Sequence, residues 1–321
     1  MKKFLLFIIL IFLIKPANLL LGNSLGMKKK IVFIVNPLAH ELKGLDFAGI
    51  VKENLDHGMF DYKIIYTEYA QHAGELANNA IFDSADIIAA VGGDGTVNEI
   101  GKTLVNTKAT LAIIPVGSGN GLARHLGIPL GLKQAIKALN QSKPILIDTA
   151  KINDQTFLGV AGIGFDAKIA HQFARFGKRG FYSYCKVALR EFRRYTPQSY
   201  LINIDGKQIT RKAFILTFAN SSQYGNNFII APKAQISDGY LDLVIIDAIP
   251  RYSILPFIYN FMHGTLDRSH HFETLKFKEI AIRHSSGQAH FDGEPMLIEN
   301  DIKVTIQPGS LKILVPVHRA H

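Results

Sequence analysis

The sequence is poor in cysteine and in charged residues. One cysteine, Cys185, occurs in 321 residues, so no intrachain disulfide can form and a disulfide-stabilised scaffold is excluded. Only 19% of the residues are charged, whereas 48% are hydrophobic, which is the opposite of the balance found in disordered chains. No internal repeat or low-complexity linker is visible. The composition therefore indicates a folded chain, long enough for one large domain or two ordinary ones.

Negative charge is scarce as well. The chain has 36 Lys and Arg against 26 Asp and Glu, a formal net charge of +10. Such an excess favours binding to phosphates, nucleotides or an anionic membrane surface, but it indicates no fold. We expect no nucleic acid as a partner, because no groove-reading or stacking motif accompanies the charge. The 12 histidines show no metal-ligand spacing.

The N-terminal segment differs from the rest of the chain. Eleven uninterrupted apolar residues run from Phe4 to Ile14 and are followed by Lys15-Pro16. As a helix they would span about 16 Å, roughly half of a bilayer core. No A-x-A-like cleavage site follows, and no nearby cysteine could carry a lipid. Met27 and three lysines lead directly into an apolar run. We interpret residues 1–26 as a leader, and leave open whether the coding region starts at Met27 or the segment is a signal or anchor.

Strands and helices alternate from Lys30 to about residue 147. Short apolar runs rich in β-branched residues are typical of buried strands, and segments with helical periodicity separate them. The predicted strands are Ile31–Val35, Tyr62–Tyr66, Asp86–Val91 and Thr110–Pro115, and the predicted helices include His72–Phe82 and Val97–Val105. This alternation predicts an α/β domain over residues 27–147, with a parallel sheet covered by helices on both faces.

The alternation stops after Ile145. The predicted strands of the second half follow one another, and Asp205-Gly206 is a signal for a type I′ hairpin turn. We therefore expect a mostly antiparallel β-sandwich domain over residues 148–321.

A glycine-rich loop follows the third predicted strand. This first loop comprises Gly92, Gly93, Asp94, Gly95 and Thr96, and Glu99 stands just beyond it in the predicted helix. Glycines allow backbone N–H groups to approach an anion closely, and a helix N-terminus adds a favourable dipole. An ordinary strand-to-helix turn is the alternative, but GGDGT at the end of a buried strand favours phosphate binding.

A second loop follows the next strand. It covers residues 117–121 and includes Gly117, Ser118 and Asn120. Ligands of open α/β folds bind at the carboxyl ends of the parallel strands. Two such loops on consecutive strands predict that this edge of the sheet binds phosphates.

Gly101-Lys102-Thr103 resembles the end of a Walker A motif but does not belong to one. The first glycine of that motif should stand at position 96, which is Thr96, and the segment lies inside a predicted helix instead of opening it.

The two loops resemble those of the diacylglycerol kinase catalytic domain family, which includes diacylglycerol, sphingosine and ceramide kinases and bacterial lipid kinases. The resemblance extends from Met27 to His321 and implies an α/β nucleotide-binding domain, with ATP and Mg²⁺ as cofactors. In that family both loops hold the ATP phosphates. Asn36-Pro37 and Thr67-Glu68 are similar to further nucleotide contacts, but residues 36–40 lack the glycine that is usual there. The second loop also lacks an acidic residue common in bacterial members, which leaves the acceptor lipid open.

Two acidic motifs in the second half strengthen the resemblance. Asp292-Gly293-Glu294 matches the family's D-G-E, and Ala231-Pro232 with residues 237–242 is similar to its A-P…D-D-G-x-L-D signature. The resemblance implies that Asp292 is the general base and that Glu294 belongs to a metal network. Asp148 is implied as a second member of that network, and Asp238 as a residue that helps to hold a structural Mg²⁺.

The spacing of Asp292 and Glu294 supports a joint role. On an extended backbone, residues two apart point to one face, so one carboxylate could accept the proton of a hydroxyl while the other orients a metal. Asp-Gly-Glu taken alone is typical of a hairpin turn, and Asp238 before a glycine is typical of a turn as well.

A basic, aromatic stretch predicts contact with a membrane. Residues 168–195 contain eight Lys and Arg, seven aromatic residues and one acid, Glu191. Cations are attracted to an anionic leaflet and aromatic rings favour its interface, although a solvated helix with buried aromatics would fit too. We expect a cytoplasmic enzyme that associates peripherally with an anionic membrane carrying its lipid substrate. The sequence leaves a homodimer open.

Two alternatives to a lipid kinase remain at this point. NAD kinases share GGDGT, so a kinase of NAD or another soluble substrate is the first. A non-catalytic nucleotide- or lipid-binding protein is the second, although the presence of Asp94, Asp292 and Glu294 argues against a degenerate site.

Overall fold

The computed structural model describes residues 28–176, 181–192, 194–204, 206–284, 287–299 and 301–317. The predicted leader, residues 1–26, lies outside the described residues. Part of the basic stretch also falls outside them, because residues 177–180 and 193 and the side chains of residues 175–176 and 181–186 are not described. Among the residues that the structure describes, no helix is long and apolar enough to cross a membrane.

The first half alternates strands and helices, as predicted. Its elements are β1 (Lys29–Val35), α1 (Phe47–Asn54), β2 (Phe60–Tyr66), α2 (His72–Phe82), β3 (Ile87–Gly92), α3 (Asp94–Leu104), β4 (Thr110–Pro115), α4 (Gly121–His125) and α5 (Leu132–Leu139), with a 3₁₀ turn at His40–Leu42. Every residue of β3 and β4 is buried. This burial is expected of strands in a parallel sheet that helices cover on both faces.

The parallel strands are ordered β2-β1-β3-β4. Helices α2 and α3 pack on one face through residues such as Ala77 and Ile100, while α1 and α5 pack on the other through Val51 and Ile136. The chain leaves β1 in one direction and β3 in the other, so a crevice opens between the carboxyl ends of these two strands. Open α/β folds bind ligands at such a switch point.

The second half is mostly antiparallel β structure, as predicted, but its described residues also form three α-helices. Its elements are β5 (Ser142–Ile152), β6 (Gln155–Phe157), β7 (Val160–Gly164), α6 (Phe165–Phe176), α7 (Phe181–Phe192), β8 (Gln198–Ile204), β9 (Lys207–Ala213), β10 (Ile215–Ala219), β11 (Leu241–Ile246), α8 (Ile254–His263), β12 (Phe272–Phe277), β13 (Glu279–Arg283), β14 (Gln288–Phe291), β15 (Glu294–Leu297) and β16 (Asp301–Pro316), with 3₁₀ turns at Arg251–Ser253 and Leu266–Arg268.

Two sheets of this half face each other across a shared core. One has the order β12-β11-β10-β7-β14-β15, and the other contains β16, β13, β8 and β9. Phe218 and Leu243 from the first sheet pack with Ile202 and Ile282 from the second. The predicted order of an α/β domain followed by a β-sandwich is therefore confirmed.

The two halves share one sheet. β16 pairs with β13 along its first part and with β5 along most of its length, and Ile313 pairs in parallel with Leu111 of β4. The predicted boundary between residues 147 and 148 lies inside β5. Because the last strand returns to the first half, the α/β half obtains part of its core, including Leu311, from the C-terminus of the chain.

The predicted hairpin between β8 and β9 is present. Ile204 pairs with Lys207, which leaves a two-residue connection, and Gly206 has a φ of +76°. Asp205, the first residue of the predicted turn, lies outside the described residues.

Candidate active site

The segments predicted to bind a nucleotide meet at the carboxyl edge of the parallel sheet. The Thr67 N–H donates to the Val35 carbonyl at 2.8 Å, and the Asn36 N–H donates to the Val91 carbonyl at 2.9 Å. Asn36 also accepts the Leu38 N–H through its side chain at 3.0 Å, which folds the chain after β1 into a turn. The structure thus brings Asn36, Thr67 and both glycine loops together.

The two glycine loops touch each other through their backbones. A Cβ atom on Gly117 would lie only 2.5 Å from the Gly93 Cα, and one on Gly93 would lie 3.3 Å from the Gly117 Cα. No side chain fits between the loops at these two positions. Their glycines are therefore needed for the contact between the loops as well as for any approach to a phosphate.

Asp94 holds the second loop in place. Its carboxylate accepts the N–H groups of Asn120 at 2.9 Å and Gly121 at 2.8 Å. Desolvation raises the pKa of the Asp94 carboxyl, while these two hydrogen bonds oppose the rise. Asp94 of the first loop thus bonds directly to the second loop, a contact that the sequence did not predict.

Asn120 closes the second loop on itself. It has a φ of +54°, and its amide donates to the Gly117 carbonyl at 2.6 Å and accepts the Gly117 N–H at 3.2 Å. Arg124 Nε donates to the Gly119 carbonyl at 2.9 Å. Ser118, between these fixed points, lines the cavity described below.

Thr96 and Glu99 shape the first loop and its surroundings. Thr96 is buried and packs over Gly92, where a Cβ would lie 2.3 Å from Thr96 Oγ1 and 2.8 Å from Thr96 Cγ2. Glu99 accepts the Gln71 N–H at 3.3 Å just ahead of α2. This hydrogen bond connects helix α3 to the segment between Thr67 and α2, at the carboxyl edge of the parallel sheet.

Asp292 lies in a hairpin turn and not on an extended strand. Phe291 pairs with Glu294 across the turn, and Asp292 and Gly293 have φ values of +51° and +86°. The expectation that Asp292 and Glu294 share one face of an extended segment is therefore wrong. Asp-Gly is the favoured pair for a type I′ turn, because both central residues need a positive φ.

The Asp292 carboxylate is held by backbone N–H groups. Oδ1 accepts from Gly159 at 2.7 Å and Val160 at 3.0 Å, and Oδ2 accepts from Leu158 at 2.9 Å. The segment between β6 and β7 thus fixes both carboxylate oxygens. All three partners are hydrogen-bond donors, and they hold the carboxylate in one orientation.

Helix α3 adds two residues that the sequence analysis missed. Asn98, with its amide nitrogen turned toward the carboxylate, donates to Asp292 Oδ2 at 2.8 Å and accepts from Lys102 Nζ at 3.0 Å. Asn98 and Lys102 follow Asp94 at steps of four residues, so all three lie on one face of α3. That spacing was the signal available in the sequence.

Glu294 stands beside the first loop. A Cβ on Gly95 would lie 3.3 Å from Glu294 Oε1. Desolvation raises the pKa of Glu294, the nearby charges of Glu99 and Asp292 raise it further, and Lys102 lowers it. Glu294 thus lies next to the first loop, and its carboxyl is easier to protonate than usual.

Among the described side chains, no group of three or more His, Cys, Asp or Glu residues is arranged to hold a metal. Mg²⁺ at kinase sites is usually bound by one or two carboxylates together with substrate phosphates. Glu294, partly solvated and next to the first loop, fits that requirement.

Asp148 and Asp238 have other partners in the structure, and their metal roles stay predictions. Asp148 is buried, and its two oxygens accept the N–H groups of Gly239 and Gly309, each at 2.7 Å. Asp238 forms an ion pair with Lys276, whose Nζ lies 3.8 Å from Asp242. The positions predicted for a metal network thus have protein donors as partners.

A cavity of about 610 Å³ opens beside Asp292 between the two halves. Its polar end includes Asp94, Ser118 and Asp292. The apolar remainder is formed mainly by aromatic and branched side chains, among them Phe165, Ile169, Phe192, Phe214, Phe257 and Phe261. The volume lies within the usual range for small-molecule sites, roughly 300–1,000 Å³.

One buried polar cluster interrupts the apolar wall. Asp166 Oδ2 lies 3.0 Å from His290 Nε2, 2.9 Å from the Tyr224 hydroxyl and 3.1 Å from Thr217 Oγ1. His290 stands two residues before Asp292 on β14, so the cluster is tied to the strand that carries the predicted base. Sequence analysis missed it, although Asp166 follows a buried strand much as the first loop does.

The described part of the basic stretch is partly neutralised. Lys168 Nζ lies 3.3 Å from Glu191, and Arg190 Nε lies 3.1 Å from the same carboxylate. The stretch forms two helices, α6 and α7, whose aromatic residues Phe173 and Phe192 line the cavity. Its membrane contact remains a prediction.

Protonation of His125 should destabilise the fold. His125 Nδ1 accepts the Ser222 N–H at 3.1 Å, joining α4 to the second half, and burial lowers the His125 pKa. The unfolded chain takes up this proton near pH 6.5, before the folded chain does, so the free energy of unfolding should fall as the pH drops below about 6.5. The pKa of His284 is lowered too and adds to the effect.

Urea unfolding followed between about pH 7.5 and 5.5 measures this effect. His125→Gln keeps an acceptor that does not titrate, so its midpoint should fall less steeply with decreasing pH. His270→Gln, at an exposed position, should behave like the unaltered chain. Equal slopes for His125→Gln and the unaltered chain would show that His125 does not contribute.

The site is of the phosphotransferase class, with room for an apolar acceptor. Its glycine loops lie at a switch point suited to phosphates, and two acidic side chains and an apolar cavity lie beside them. Comparison with known families agrees. Residues 30–152 match the model of the diacylglycerol kinase catalytic domain. Residues 159–315 match the YegS C-terminal NAD kinase beta sandwich-like domain.

The relatives extend over most of the chain. A diacylglycerol kinase of Mycobacterium tuberculosis is 28% identical over 303 residues, which cover 90% of this chain and 96% of the relative. A protein of Chromohalobacter salexigens named "probable lipid kinase YegS-like" is 28% identical over 237 residues, 71% of this chain and 76% of the relative. A crystal structure of a diacylglycerol kinase from Bacillus anthracis superposes with a TM-score of 0.68 at 22% identity, covering 89% and 97% of the two chains, and shows the same fold.

The chain belongs to the diacylglycerol kinase catalytic domain family and is a lipid kinase, a phosphotransferase. The family expected from the two glycine loops and the acidic motifs is thereby confirmed.

Proposed function

We propose that the chain transfers the γ-phosphate of ATP to a hydroxyl of a diacylglycerol- or sphingoid-type lipid. The observation that carries this proposal is the cavity, whose polar end lies at Asp292 and the two glycine loops and whose remaining wall is apolar. An acceptor with one hydroxyl and long hydrocarbon chains matches that distribution of surface.

The nucleotide would bind at the carboxyl edge of the parallel sheet, with its phosphates on the two loops. Support comes from the position of both loops beside the switch point and from the close backbone contact of Gly93 with Gly117. Backbone N–H groups at such a place are suited to anions. Asn36, Thr67 and Glu99 lie on the same edge and complete the proposed nucleotide site.

Asp292 is the proposed general base. A carboxylate offers about four acceptor directions, and three backbone N–H groups and the Asn98 amide use them in the structure. Asn98 is the one side chain among these donors, so an acceptor hydroxyl would replace it at Oδ2. The three backbone bonds would keep the carboxylate in place while it receives the proton.

Glu294 is the residue proposed to hold Mg²⁺, together with the phosphates of the nucleotide. When bound, the ion would neutralise the charge that builds up on the phosphate oxygens during transfer. Lys102 places a positive charge beside Glu294 and Asn98, and so limits the repulsion among Glu99, Asp292 and Glu294.

Replacing Lys102 should change the pH dependence of phosphate transfer. In Lys102→Met, Glu294 loses the cation that lowers its pKa, and Asn98 loses the partner that orients its amide. The acid limb of the pH–kcat/KM profile should therefore move to higher pH, and kcat should fall about tenfold or more.

Matched variants separate charge from bulk at this position. Lys102→Arg should restore much of the profile, and Lys108→Met, at an exposed site beyond α3, should leave it unchanged. An unmoved profile in Lys102→Met would mean that Lys102 has no influence on the titrating group.

Membrane association and a cytoplasmic location follow as proposals from the nature of the acceptor. A lipid with long chains resides in a bilayer, so the enzyme has to meet it at that surface. The positive net charge of the chain would favour an anionic leaflet.

Transfer of radiolabelled phosphate from ATP to a panel of acceptors tests the proposal. The panel comprises diacylglycerol, sphingosine, ceramide, monoacylglycerol and NAD, each with and without Mg²⁺. We expect label in a diacylglycerol or sphingoid lipid only when Mg²⁺ is present. Label in NAD alone, or in none of the five, would contradict the proposed acceptor class.

A further inference from the structure

Helix α8 exposes an apolar face that the core does not use. Ile254, Phe257 and Phe261 pack against the protein on its inner side. On its outer side Leu255, Ile258, Tyr259 and Met262 are 78%, 41%, 61% and 43% exposed, and Tyr252 just before the helix is 86% exposed. No residue of α8 is fully buried.

The outer residues form a regular stripe. Leu255, Ile258, Tyr259 and Met262 have the spacing i, i+3, i+4, i+7, which marks one face of a helix. A surface helix normally turns such a stripe toward the core and polar residues toward water. α8 carries apolar residues on both sides, so its outer side is poorly suited to contact with water.

The stripe continues into the cavity mouth. Ile258 and Met262 line the cavity and are also exposed, and so is Leu189 of α7, at 58%. These three side chains therefore lie at the rim. An acyl chain could pass from the outer side of α8 into the cavity along apolar surface only.

We propose that the outer face of α8, formed by Tyr252, Leu255, Ile258, Tyr259 and Met262, inserts into the surface of a lipid bilayer and places the cavity mouth against it. The inference rests on the proposed function in one respect, the lipid acceptor that has to reach the cavity. It locates membrane contact on a helix outside the basic stretch of residues 168–195.

The chemistry of the segment fits a bilayer better than a second copy of the chain. Residues 248–266 contain no Asp or Glu, and their basic residues are Arg251 and His263, which suits an anionic leaflet. Tyr252 and Tyr259 are of the type enriched at membrane interfaces, where an apolar ring and a polar hydroxyl are both accommodated. A second copy seated on the stripe would close the cavity mouth to a lipid acceptor.

The absence of tryptophan from the chain allows a direct test. In the full-length chain, Tyr259→Trp introduces a single tryptophan on the stripe, and Phe82→Trp introduces one at a 90% exposed position on α2. Each variant is titrated with vesicles of phosphatidylcholine, with and without phosphatidylglycerol, in the absence of nucleotide. We expect the emission of Tyr259→Trp to shift to shorter wavelength, more readily with phosphatidylglycerol, and that of Phe82→Trp to stay unchanged.

A second variant measures the strength of the contact. Adding Leu255→Gln to Tyr259→Trp removes an apolar side chain four residues away without introducing charge, and should raise the lipid concentration at the midpoint about tenfold. An unmoved emission of Tyr259→Trp, or a shift driven by protein concentration without vesicles, would overturn the proposal. The measurement involves no phosphate transfer, so a failure of the proposed acceptor class would leave its result intact.

Discussion

Asp292→Asn should abolish phosphate transfer while nucleotide binding survives. The substitution removes the proposed proton acceptor and leaves both glycine loops unaltered. General-base catalysis contributes roughly 10²–10⁴-fold, so we expect kcat to fall by at least about two orders of magnitude. Transfer from labelled ATP measures the loss, and calorimetric titration with nucleotide measures the binding.

The environment of Asp292 makes folding controls necessary. An amide at this position would turn an NH₂ group toward one or more of the N–H donors of Leu158, Gly159 and Val160, so some loss of stability is expected as well. Asp301→Asn alters an exposed aspartate that pairs with Arg283, and such pairs contribute only about 0–1 kcal/mol. It should keep full activity. An Asp292→Asn variant that binds nucleotide and still transfers phosphate would remove Asp292 as the base.

The position of the site was predictable because it depends on local signals. A buried apolar strand followed by GGDGT, and another followed by a second glycine loop, place both loops at the carboxyl edge of a parallel sheet whatever the rest of the chain does. Asn36 and Thr67 are on that edge for the same reason, since each follows a parallel strand.

The partners of the acidic residues were not predictable in the same way. Asp94 bonds to Asn120 and Gly121, and Asp148 bonds to Gly239 and Gly309. These contacts join segments far apart in sequence, and nothing in the spacing of the residues encodes them. The family resemblance implied a metal role for Asp148 and Asp238, and it gave no indication that backbone N–H groups and Lys276 are their partners in the structure.

The geometry of Asp292 could have been predicted from a rule already applied elsewhere. Asp205-Gly206 between two strands indicated a hairpin turn, and Asp292-Gly293 between two strands carries the same signal. Helix α8 was missed for a different reason. Its residues are apolar on both faces, so the periodicity that separates a buried side from a solvated side is absent.

Asp94→Ala should lose most of the nucleotide affinity and part of the stability of the fold. Its carboxylate accepts two N–H groups from the second loop, and hydrogen bonds to a charged group contribute about 1.5–3 kcal/mol each. With alanine, both donors lose their acceptor and the contact of Gly93 with Gly117 loses its clamp. Because about 1.4 kcal/mol corresponds to a tenfold change, we expect nucleotide affinity to fall at least about 100-fold.

The two roles open to Asp94 differ in what else should change. If Asp94 acts by fixing the second loop, Asp94→Ala lowers both the nucleotide affinity and the midpoint of thermal unfolding without nucleotide. Asp94→Asn keeps one acceptor oxygen, so its affinity and its unfolding midpoint should lie between those of the unaltered chain and those of Asp94→Ala. A residue that only contacted phosphate would lower affinity and leave the unfolding midpoint in place. Asp83→Ala, at an exposed position at the end of α2, supplies the matched control. Unchanged nucleotide affinity in Asp94→Ala would contradict the assignment of both loops to the phosphates, because the second loop depends on this carboxylate for its position.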